Sequence, residues 1–382
     1  MRIEALALRD FRNLRQADMT PGEGINLLYG DNAQGKTNLV EAIYLLTGQK
    51  GFRQSREADY IRFEQSRAEI RCRFFQGGRS QTASLVYSRG DGAAPRGGKT
   101  AQINEIDVQP SELTGLFCAV VFSPTEVGLI KEGPALRRAF LDSAISQVMP
   151  RYLRNMAAFG RALSQRNSLL YDMARHSGMD DLLAVWDRSF AKAAYSVINA
   201  RWRYVTRLTK PAEEIYRDLS GDRETFSAEY QSSIPGAWGA LDAQAGEAHI
   251  LEALEASREE DLKNGFTTIG PHRDDLSVAL DGVPARTFGS QGQQRSCALT
   301  LKLAECAVIE EVSGERPILL LDDVLSELDK RRRDYFLSGA GTGRGQMFIT
   351  CTDRAGFRAV RQGVTMRIQN GEIKARRQIG GA

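Results

Sequence analysis

The sequence has little of what marks several common protein classes. Its 382 residues include five cysteines and three histidines, and the formal net charge is only +3. The cysteines are odd in number and scattered, without a C-x-x-C pair, and no histidine stands near them at zinc-ligand spacing. This pattern predicts reduced, buried thiols, and it argues against both a disulfide framework and a structural zinc site.

Long apolar runs are also missing. No stretch approaches the roughly 20 apolar residues that a membrane-spanning helix needs. The first 14 residues alternate apolar and polar types and lack the apolar core of a secretory signal. We therefore expect a cytoplasmic protein without membrane partners. Because the net charge is small, composition is weak evidence for a polyanionic partner, and any basic surface must be local.

What the sequence does contain is a phosphate-binding motif, GDNAQGKTN, at residues 30–38. It fits G-x-x-x-x-G-K-[ST], with a short apolar stretch before it and helical spacing after it. The glycines let the backbone turn tightly, the lysine reaches the β- and γ-phosphates, and the threonine hydroxyl ligates Mg²⁺. The candidate phosphate-binding residues of this loop are Gly30, Asn32, Gly35, Lys36, Thr37 and Asn38.

A second motif lies near the other end of the chain. The apolar run ILLL at residues 318–321 ends in Asp322 and Asp323. Taken alone, this is also the pattern of any buried strand that ends in a polar loop. Together with an upstream phosphate loop, it predicts that Asp322 lies near the Mg²⁺ held by Thr37 and that Asp323 orients the attacking water.

Two short segments flank this second motif. SQGQQR at residues 290–295 precedes a helical pattern, and SELD at 326–329 follows the aspartates. A glycine-containing turn that opens a helix is an anion-binding device. Because the chain already has a phosphate loop of its own, this second device suggests the nucleotide of a partner chain.

The order of strand-like and helical patterns predicts an α/β fold in two parts. Residues 1–134 and 265–382 predict a discontinuous head with a mixed sheet, helices and N-terminal antiparallel strands, of which two are expected within residues 1–29. Residues 135–264 predict an inserted, mainly helical lobe. Its helices are expected to span about 20 to 30 residues, too short for a sustained coiled coil, and Pro211 is expected to end one of them.

These motifs resemble those of the ABC-type P-loop ATPases. SQGQQR is similar to their signature sequence, and SELD is similar to their D-loop. GKTN, the split site and the helical insertion resemble the SMC-like branch, which serves chromosome maintenance and repair. Within it, several stretches resemble the bacterial recombination mediators, and they cover nearly the whole chain. They are FRNL (11–14), GDNAQGKTNLVEAIYLLTG (30–48), VFSP (121–124), LRRAFLD (136–142) and TIGPHRDDL (268–276).

The resemblance implies a site for ATP and Mg²⁺ that two protomers share. Lys36 and Thr37 would hold the phosphates and the metal, Asp322 would be the Walker B acid, and Asp323 would stand in the place of the general base. The residues that would meet the partner protomer's nucleotide or lie at the dimer seam are Ser290, Gly292, Gln293 and Asp329. ATP binding would then favour a closed two-fold dimer, and hydrolysis would release it.

The resemblance also implies a function in DNA replication, DNA damage repair and the SOS response. The ATP-dependent homodimer would clamp double-stranded DNA near gaps, and with mediator proteins of the RecO and RecR type it would promote recombinase loading onto single strands.

The chain departs from the ABC ATPase pattern at two places. Most ABC ATPases have Glu where this chain has Asp323. Many also have a switch-region histidine after the next strand, whereas ITCTD at 349–353 contains none. These departures predict a weak, DNA-stimulated ATPase that acts as a switch, with Thr352 or Asp353 in the histidine's role.

Two other functions remain open at this point. One is the ATPase subunit of a membrane transporter, against which the long insertion and Asp323 argue. The other is a different SMC-like chromosome-maintenance ATPase, whose long coiled coils the sequence does not predict.

Basic residues recur in and near the insertion, where they either contact DNA phosphates or form solvated helix faces and internal ion pairs. They are Arg137, Arg138, Arg151, Arg154, Arg161, Arg166, Arg201, Arg203, Arg207, Arg331, Arg332, Arg333, Lys374, Arg376 and Arg377.

Overall fold

The fold is taken from a computed structural model of the chain. The structure describes residues 1–53, 55–90, 97–124, 128–173, 178–324, 330–337, 345–353 and 363–379. The SELD segment, including Asp329, lies outside the described residues, so its predicted place at a dimer seam stays a prediction.

The chain divides into two compact units. The first consists of Met1–Val127 and Ala298–Ala382, and the second of Gly128–Cys297. The second unit therefore contains residues 135–264 of the predicted lobe. It also contains the SQGQQR turn at residues 290–295, called the signature turn below.

Strands and helices of both units follow in chain order. The strands are β1 (Arg2–Phe11), β2 (Leu14–Met19), β3 (Ile25–Tyr29), β4 (Arg67–Gln76), β5 (Arg79–Ser88), β6 (Gly98–Ile103), β7 (Ile106–Val108), β8 (Ala119–Phe122), β9 (Phe226–Gln231), β10 (Asp275–Leu280), β11 (Val283–Pro284), β12 (Ile318–Leu321), β13 (Met347–Cys351), β14 (Gly363–Gln369) and β15 (Glu372–Ile379). The helices are α1 (Lys36–Leu45), α2 (Gly128–Lys131), α3 (Pro134–Val148), α4 (Tyr152–Met173), α5 (Asp180–Ser220), α6 (Ala243–Ala256), α7 (Arg258–Asn264), α8 (Ala285–Phe288), α9 (Gln291–Ser313) and α10 (Lys330–Leu337).

The first unit is built on two six-stranded sheets. One is antiparallel, with the order β2-β1-β4-β5-β6-β7, and the other has the order β15-β14-β3-β13-β12-β8. In the second sheet only the pairing of β14 with β15 is antiparallel. Side chains of both sheets and of α1 share one core, which includes Leu8, Ile43, Phe74, Leu320 and Phe348. The predicted α/β class with N-terminal antiparallel strands is confirmed.

The parallel sheet positions the candidate site. Strand β13 pairs with β3 on one side and with β12 on the other. The phosphate loop follows the carboxyl end of β3, and Asp322 follows the carboxyl end of β12. Because the carboxyl ends of parallel strands meet at one edge, two motifs remote in sequence lie at the same edge of the sheet.

The prediction of two strands within residues 1–29 was wrong, because the structure has three. The additional strand arises from a hairpin in which Phe11 pairs with Leu14. No glycine or proline marks its turn. Instead, Arg12 adopts a φ of 53° and donates its backbone N–H to the Tyr60 carbonyl at 2.8 Å. The only local turn signal is Asn13, and the bond to Tyr60, far along the chain, is not visible in the local sequence.

The second unit is mainly helical. Helix α5 packs against α4, α6 and strand β9, and strands β9, β10 and β11 form a small antiparallel sheet with the order β11-β10-β9. Strand β9 is followed by the helices α6 and α7, which meet at Ser257.

Pro211 does not end its helix, contrary to the prediction. Helix α5 runs for 41 residues through Pro211, so the expected limit of about 30 residues was also wrong. Leu208, Ala212 and Tyr216 are buried on both sides of the proline. Packing along the whole helix therefore offsets the one backbone hydrogen bond that proline cannot donate.

Three arginines of the second unit form buried ion pairs. Arg137 donates to both carboxylate oxygens of Asp275 at 2.7 and 2.8 Å. Arg201 donates to both oxygens of Asp142 at 2.9 and 3.1 Å, and Arg166 contacts two aspartates at 2.7 and 2.6 Å. The guanidinium groups are buried, so removing their aspartates would leave a buried charge uncompensated. These arginines are therefore engaged within the unit.

The cysteines are free thiols, and all except the half-buried Cys306 are buried. Among the described residues, no helix combines the length and the apolar character that crossing a membrane requires.

Candidate nucleotide-binding site

The phosphate loop follows β3, and its two glycines are required by geometry. Gly30 has a φ of 151°, and a Cβ there would lie 2.3 Å from the Ile368 carbonyl oxygen. Gly35 has a φ of 109°, and a Cβ there would lie 2.5 Å from Leu14 Cδ2. Both positions combine a left-handed backbone with a close neighbour, so only glycine fits without strain.

Two neighbouring turns brace this loop. Asn13, in the turn between β1 and β2, donates to the Ala33 carbonyl at 2.9 Å and accepts from Asn38 Nδ2 at 2.6 Å. Asn370, in the turn between β14 and β15, donates its backbone N–H to Gln34 Oε1 at 2.6 Å. Bonds on both sides hold the loop in a preformed shape, which lowers the cost of binding phosphate.

Lys36 stands at the first position of α1, directly after the N-cap Gly35. Its ammonium donates to the carbonyl oxygens of Gly30 and Asp31 at 2.6 and 2.8 Å. The charge is thus held over the loop at the positive end of the helix, where an anion is favoured. Asn32 is exposed on the same loop.

Asp322 lies beside Thr37. The Thr37 hydroxyl donates to Asp322 Oδ1 at 2.9 Å, although the two residues are 285 positions apart in sequence. Burial raises the pKa of Asp322 above its ordinary value, while hydrogen bonds from Thr350 and Thr37 lower it. A hydroxyl and a carboxylate oxygen side by side are ligands that suit Mg²⁺, which usually takes its other ligands from water and phosphate.

Asp323 is the second residue after β12. Its side chain is exposed, and its φ is 54°. Its backbone N–H donates to the Thr350 hydroxyl at 2.8 Å. The sequence analysis did not single out Thr350, and the only signal for it was a polar residue within the apolar strand MFITC. Thr352 and Asp353, the predicted substitutes for the histidine, are exposed directly after that strand.

The sequence analysis also missed a charged cluster centred on Glu41 of α1. Glu41 is fully buried, and Arg12 donates to its two carboxylate oxygens at 2.7 and 3.1 Å. Arg53 contacts the same carboxylate and donates to Asn38 Oδ1 at 2.6 Å. Its charge also lowers the pKa of Asp322. The available signal was an acidic residue within the apolar part of α1, LVEAIYL.

The signature turn belongs to the second unit and begins α9. The Ser290 N–H donates to Gln293 Oε1 at 2.7 Å, and the Gln293 N–H donates to Ser290 Oγ at 3.2 Å. This reciprocal pair is a capping box, which satisfies the helix start with its own side chains. Gln293 also contacts Glu224, and Gly292 is half-buried in the first turn of α9.

The chain matches known proteins over nearly its full length. Residues 2–375 match the family model described as the RecF/RecN/SMC N terminal domain. A Listeria innocua protein named DNA replication and repair protein RecF is 36% identical, and the match covers 98% of this chain and 100% of that protein. The namesake from Agathobacter rectalis is 38% identical over 92% of each chain. The chain belongs to the RecF family.

Solved structures of RecF proteins have the same fold. The structure named for RecF-ATPrS in the RecFOR pathway has a TM-score of 0.89 at 32% identity and covers 98% of this chain and 97% of its own. The structure named for RecF-ATP has a TM-score of 0.86 at the same identity. A Pyrococcus furiosus Smc head, at 16% identity and a TM-score of 0.55, is similar in fold alone. The predicted ABC-type ATPase fold, like the predicted family, is thereby confirmed.

Proposed function

We propose that this RecF family protein is an ATP-dependent, DNA-binding recombination mediator in DNA replication and repair. The observation that carries the proposal is the 2.9 Å contact between Thr37 and Asp322, which brings the two halves of a nucleotide site together on a braced phosphate loop. Two of the solved relatives are named for their complexes with ATP and its analogue, which supports the same ligand here.

In this proposal the chain's own residues divide the work on ATP. Lys36 and the loop N–H groups bind the phosphates, while Thr37 and Asp322 hold Mg²⁺, which neutralises phosphate charge when bound. Asp323 orients the attacking water. Its side chain is shorter than that of the usual glutamate and starts from an exposed position, so we expect slow hydrolysis, which suits a switch.

The signature turn supports a dimer of two such chains. Ser290, Gly292 and Gln293 would complete the nucleotide site of the partner protomer. Next to them Phe288 is 71% exposed on α8. The backbone there is fixed, since Gln294 Nε2 donates to the Arg286 carbonyl at 3.1 Å. An exposed aromatic side chain on a fixed backbone is a typical anchor of a protein interface.

For DNA we propose phosphate contacts without base reading. Three arginines of the second unit are committed to buried ion pairs, so the exposed ones are the candidates. Among the arginines of this unit that the sequence analysis named, these are Arg151, Arg154, Arg161, Arg203 and Arg207. The name of the solved relative's pathway supports RecO- and RecR-type partners. A cytoplasmic location is part of the same proposal, since the proposed ligands, ATP and gapped DNA, occur there.

The proposal is tested by measuring mass in solution with and without ATP and gapped duplex DNA. We expect the wild-type chain to dimerise with ATP and to bind DNA as the dimer. The Lys36→Met variant should stay monomeric because it lacks the phosphate contact, and Asp323→Asn should remain dimeric longer because water is no longer oriented. A wild-type chain that neither dimerises with ATP nor binds DNA would overturn the proposal.

The interface is tested separately with two exposed phenylalanines. Phe288→Ser should raise the ATP concentration needed for dimerisation, whereas Phe63→Ser, which changes a side chain 81% exposed in the first unit, should not. Equal effects of the two substitutions would argue against the signature turn as the dimer surface.

A further inference from the structure

We infer that Thr350 is a positioning residue that aligns Asp322 and Asp323 through a single hydroxyl group. The inference rests on the proposed ATPase function. It adds a residue that lies outside both the phosphate loop and the strand motif that ends in Asp322 and Asp323.

Thr350 lies on β13, between the strand that leads to the phosphate loop and the strand that leads to the aspartates. It is 2% exposed. Its hydroxyl donates to Asp322 Oδ1 at 2.9 Å and accepts the Asp323 N–H at 2.8 Å. Because the oxygen accepts from Asp323, its one hydrogen is left for the carboxylate, so both bonds have a defined direction.

The hydroxyl acts where the backbone pairing of the two strands stops. The register of β12 with β13 ends at Leu321 opposite Ile349. Beyond it, the side chain of Thr350 supplies the bond to the Asp323 N–H that a further backbone pair would have supplied. Asp323 has a φ of 54°, which is uncommon for a residue with a Cβ. The bond from a buried, rigid strand therefore helps to keep this backbone, and with it the direction of the Asp323 side chain.

The same hydroxyl orients the candidate metal ligand. Asp322 Oδ1 accepts from both Thr37 and Thr350. Thr37 is itself proposed to contact Mg²⁺, whereas Thr350 is buried one strand away. Thr350 is thus the outer partner that holds the carboxylate in place, and loss of such partners typically costs about 10- to 100-fold in metal affinity or activity.

The test compares Thr350→Val, which keeps the shape and removes the hydroxyl, with Thr350→Ser, which keeps the hydroxyl. Three quantities are measured on the full chain: affinity for ATP without Mg²⁺, the single-turnover hydrolysis rate across a Mg²⁺ titration, and the melting temperature. We expect Thr350→Val to hydrolyse about 10- to 100-fold more slowly and to need more Mg²⁺ for half of its maximal rate. Its affinity for ATP without Mg²⁺ should be unchanged, and Thr350→Ser should behave as the wild type does.

Thr365→Val is the matched control, since this threonine is also buried on a strand of the same sheet, but its hydroxyl donates to the Arg377 carbonyl and not to the aspartates. Thr350→Ala is a second variant without the hydroxyl. Wild-type rates and Mg²⁺ dependence in Thr350→Val would overturn the inference and leave the ATPase proposal intact. Failure of both hydroxyl-free variants to fold, or equal losses in the serine variant, would show a purely structural role and also overturn it. A wild-type chain that does not bind ATP would remove both proposals.

Discussion

The two helices that bear the candidate anion sites, α1 and α9, begin in opposite ways. Before α1 stands Gly35, in a left-handed conformation and without a side chain to cap the helix. Before α9 stands Ser290, which exchanges two hydrogen bonds with Gln293. The start of α1 is therefore left open for a ligand, whereas the start of α9 is already completed by its own residues.

This difference separates two kinds of phosphate recognition. An uncapped helix with a buried lysine above a braced loop gains most from an anion, so α1 suits primary ATP binding. A capped helix gains less from the same anion, so α9 suits a contact that forms only when a second protomer arrives. Four substitutions test this comparison, in order of decreasing expected effect.

The largest effect is expected at Lys36. Lys36→Met removes the ammonium held 2.6 Å from the Gly30 carbonyl, and we expect the affinity for ATP to fall about 100-fold, the scale of a hydrogen bond to a charged group. Titration with a fluorescent ATP analogue measures this. Lys50→Met, an exposed lysine after α1, is the control and should bind normally. Similar losses in both variants would contradict a specific role.

Gly35→Ala should come next. The added Cβ meets Leu14 Cδ2 at 2.5 Å in a left-handed backbone, so we expect the free energy of unfolding to fall by about 2 kcal/mol. Chemical denaturation measures the change. Gly24→Ala adds a Cβ with nothing within 4 Å and should cost much less. Equal stability of the two variants would show that the start of α1 is not constrained as described.

Ser290→Ala should have a smaller effect on stability and a different effect on function. Loss of the cap should lower the free energy of unfolding by about 1 kcal/mol. The affinity of the monomer for ATP should not change, while ATP-induced dimerisation should weaken. Ser290→Asn restores a cap and should recover the stability. A loss of ATP affinity in the monomer would break the proposed division between α1 and α9.

Gln293→Ala should have the smallest effect. It removes the acceptor that lies 2.7 Å from the Ser290 N–H, while the Ser290 cap remains, so we expect a loss of about 0.5 kcal/mol. Thermal melting beside Ser290→Ala measures it. A larger loss than that of the serine variant would assign the stability of this turn to the contact between Gln293 and Glu224.

Much of the candidate site was predictable because its chemistry dictates residue types locally. A loop that wraps phosphate needs glycines at Gly30 and Gly35, and a buried parallel strand that ends at a metal needs an apolar run followed by an acid. Each requirement is met within a few consecutive residues. The α/β class and the mainly helical character of residues 135–264 were accessible for the same reason, since the spacing of apolar residues is a local property.

The remaining features depend on contacts between residues far apart in the chain. The turn at Arg12 is held by the Tyr60 carbonyl. Helix α5 continues through Pro211 because residues before and after the proline are packed in the core. The assignment of Arg137, Arg166 and Arg201 to ion pairs, and not to DNA, required knowing which aspartates lie beside them. No sequence window contains both members of such pairs.

By itself, the sequence determined that this chain carries a phosphate loop, a strand ending in two aspartates and a helix-opening turn. Only the tertiary structure decided that Thr37 and Asp322 meet and that Thr350 bonds both aspartates. The physical reason is that residue types set which bonds are possible, whereas the pairing of distant strands sets which of them form.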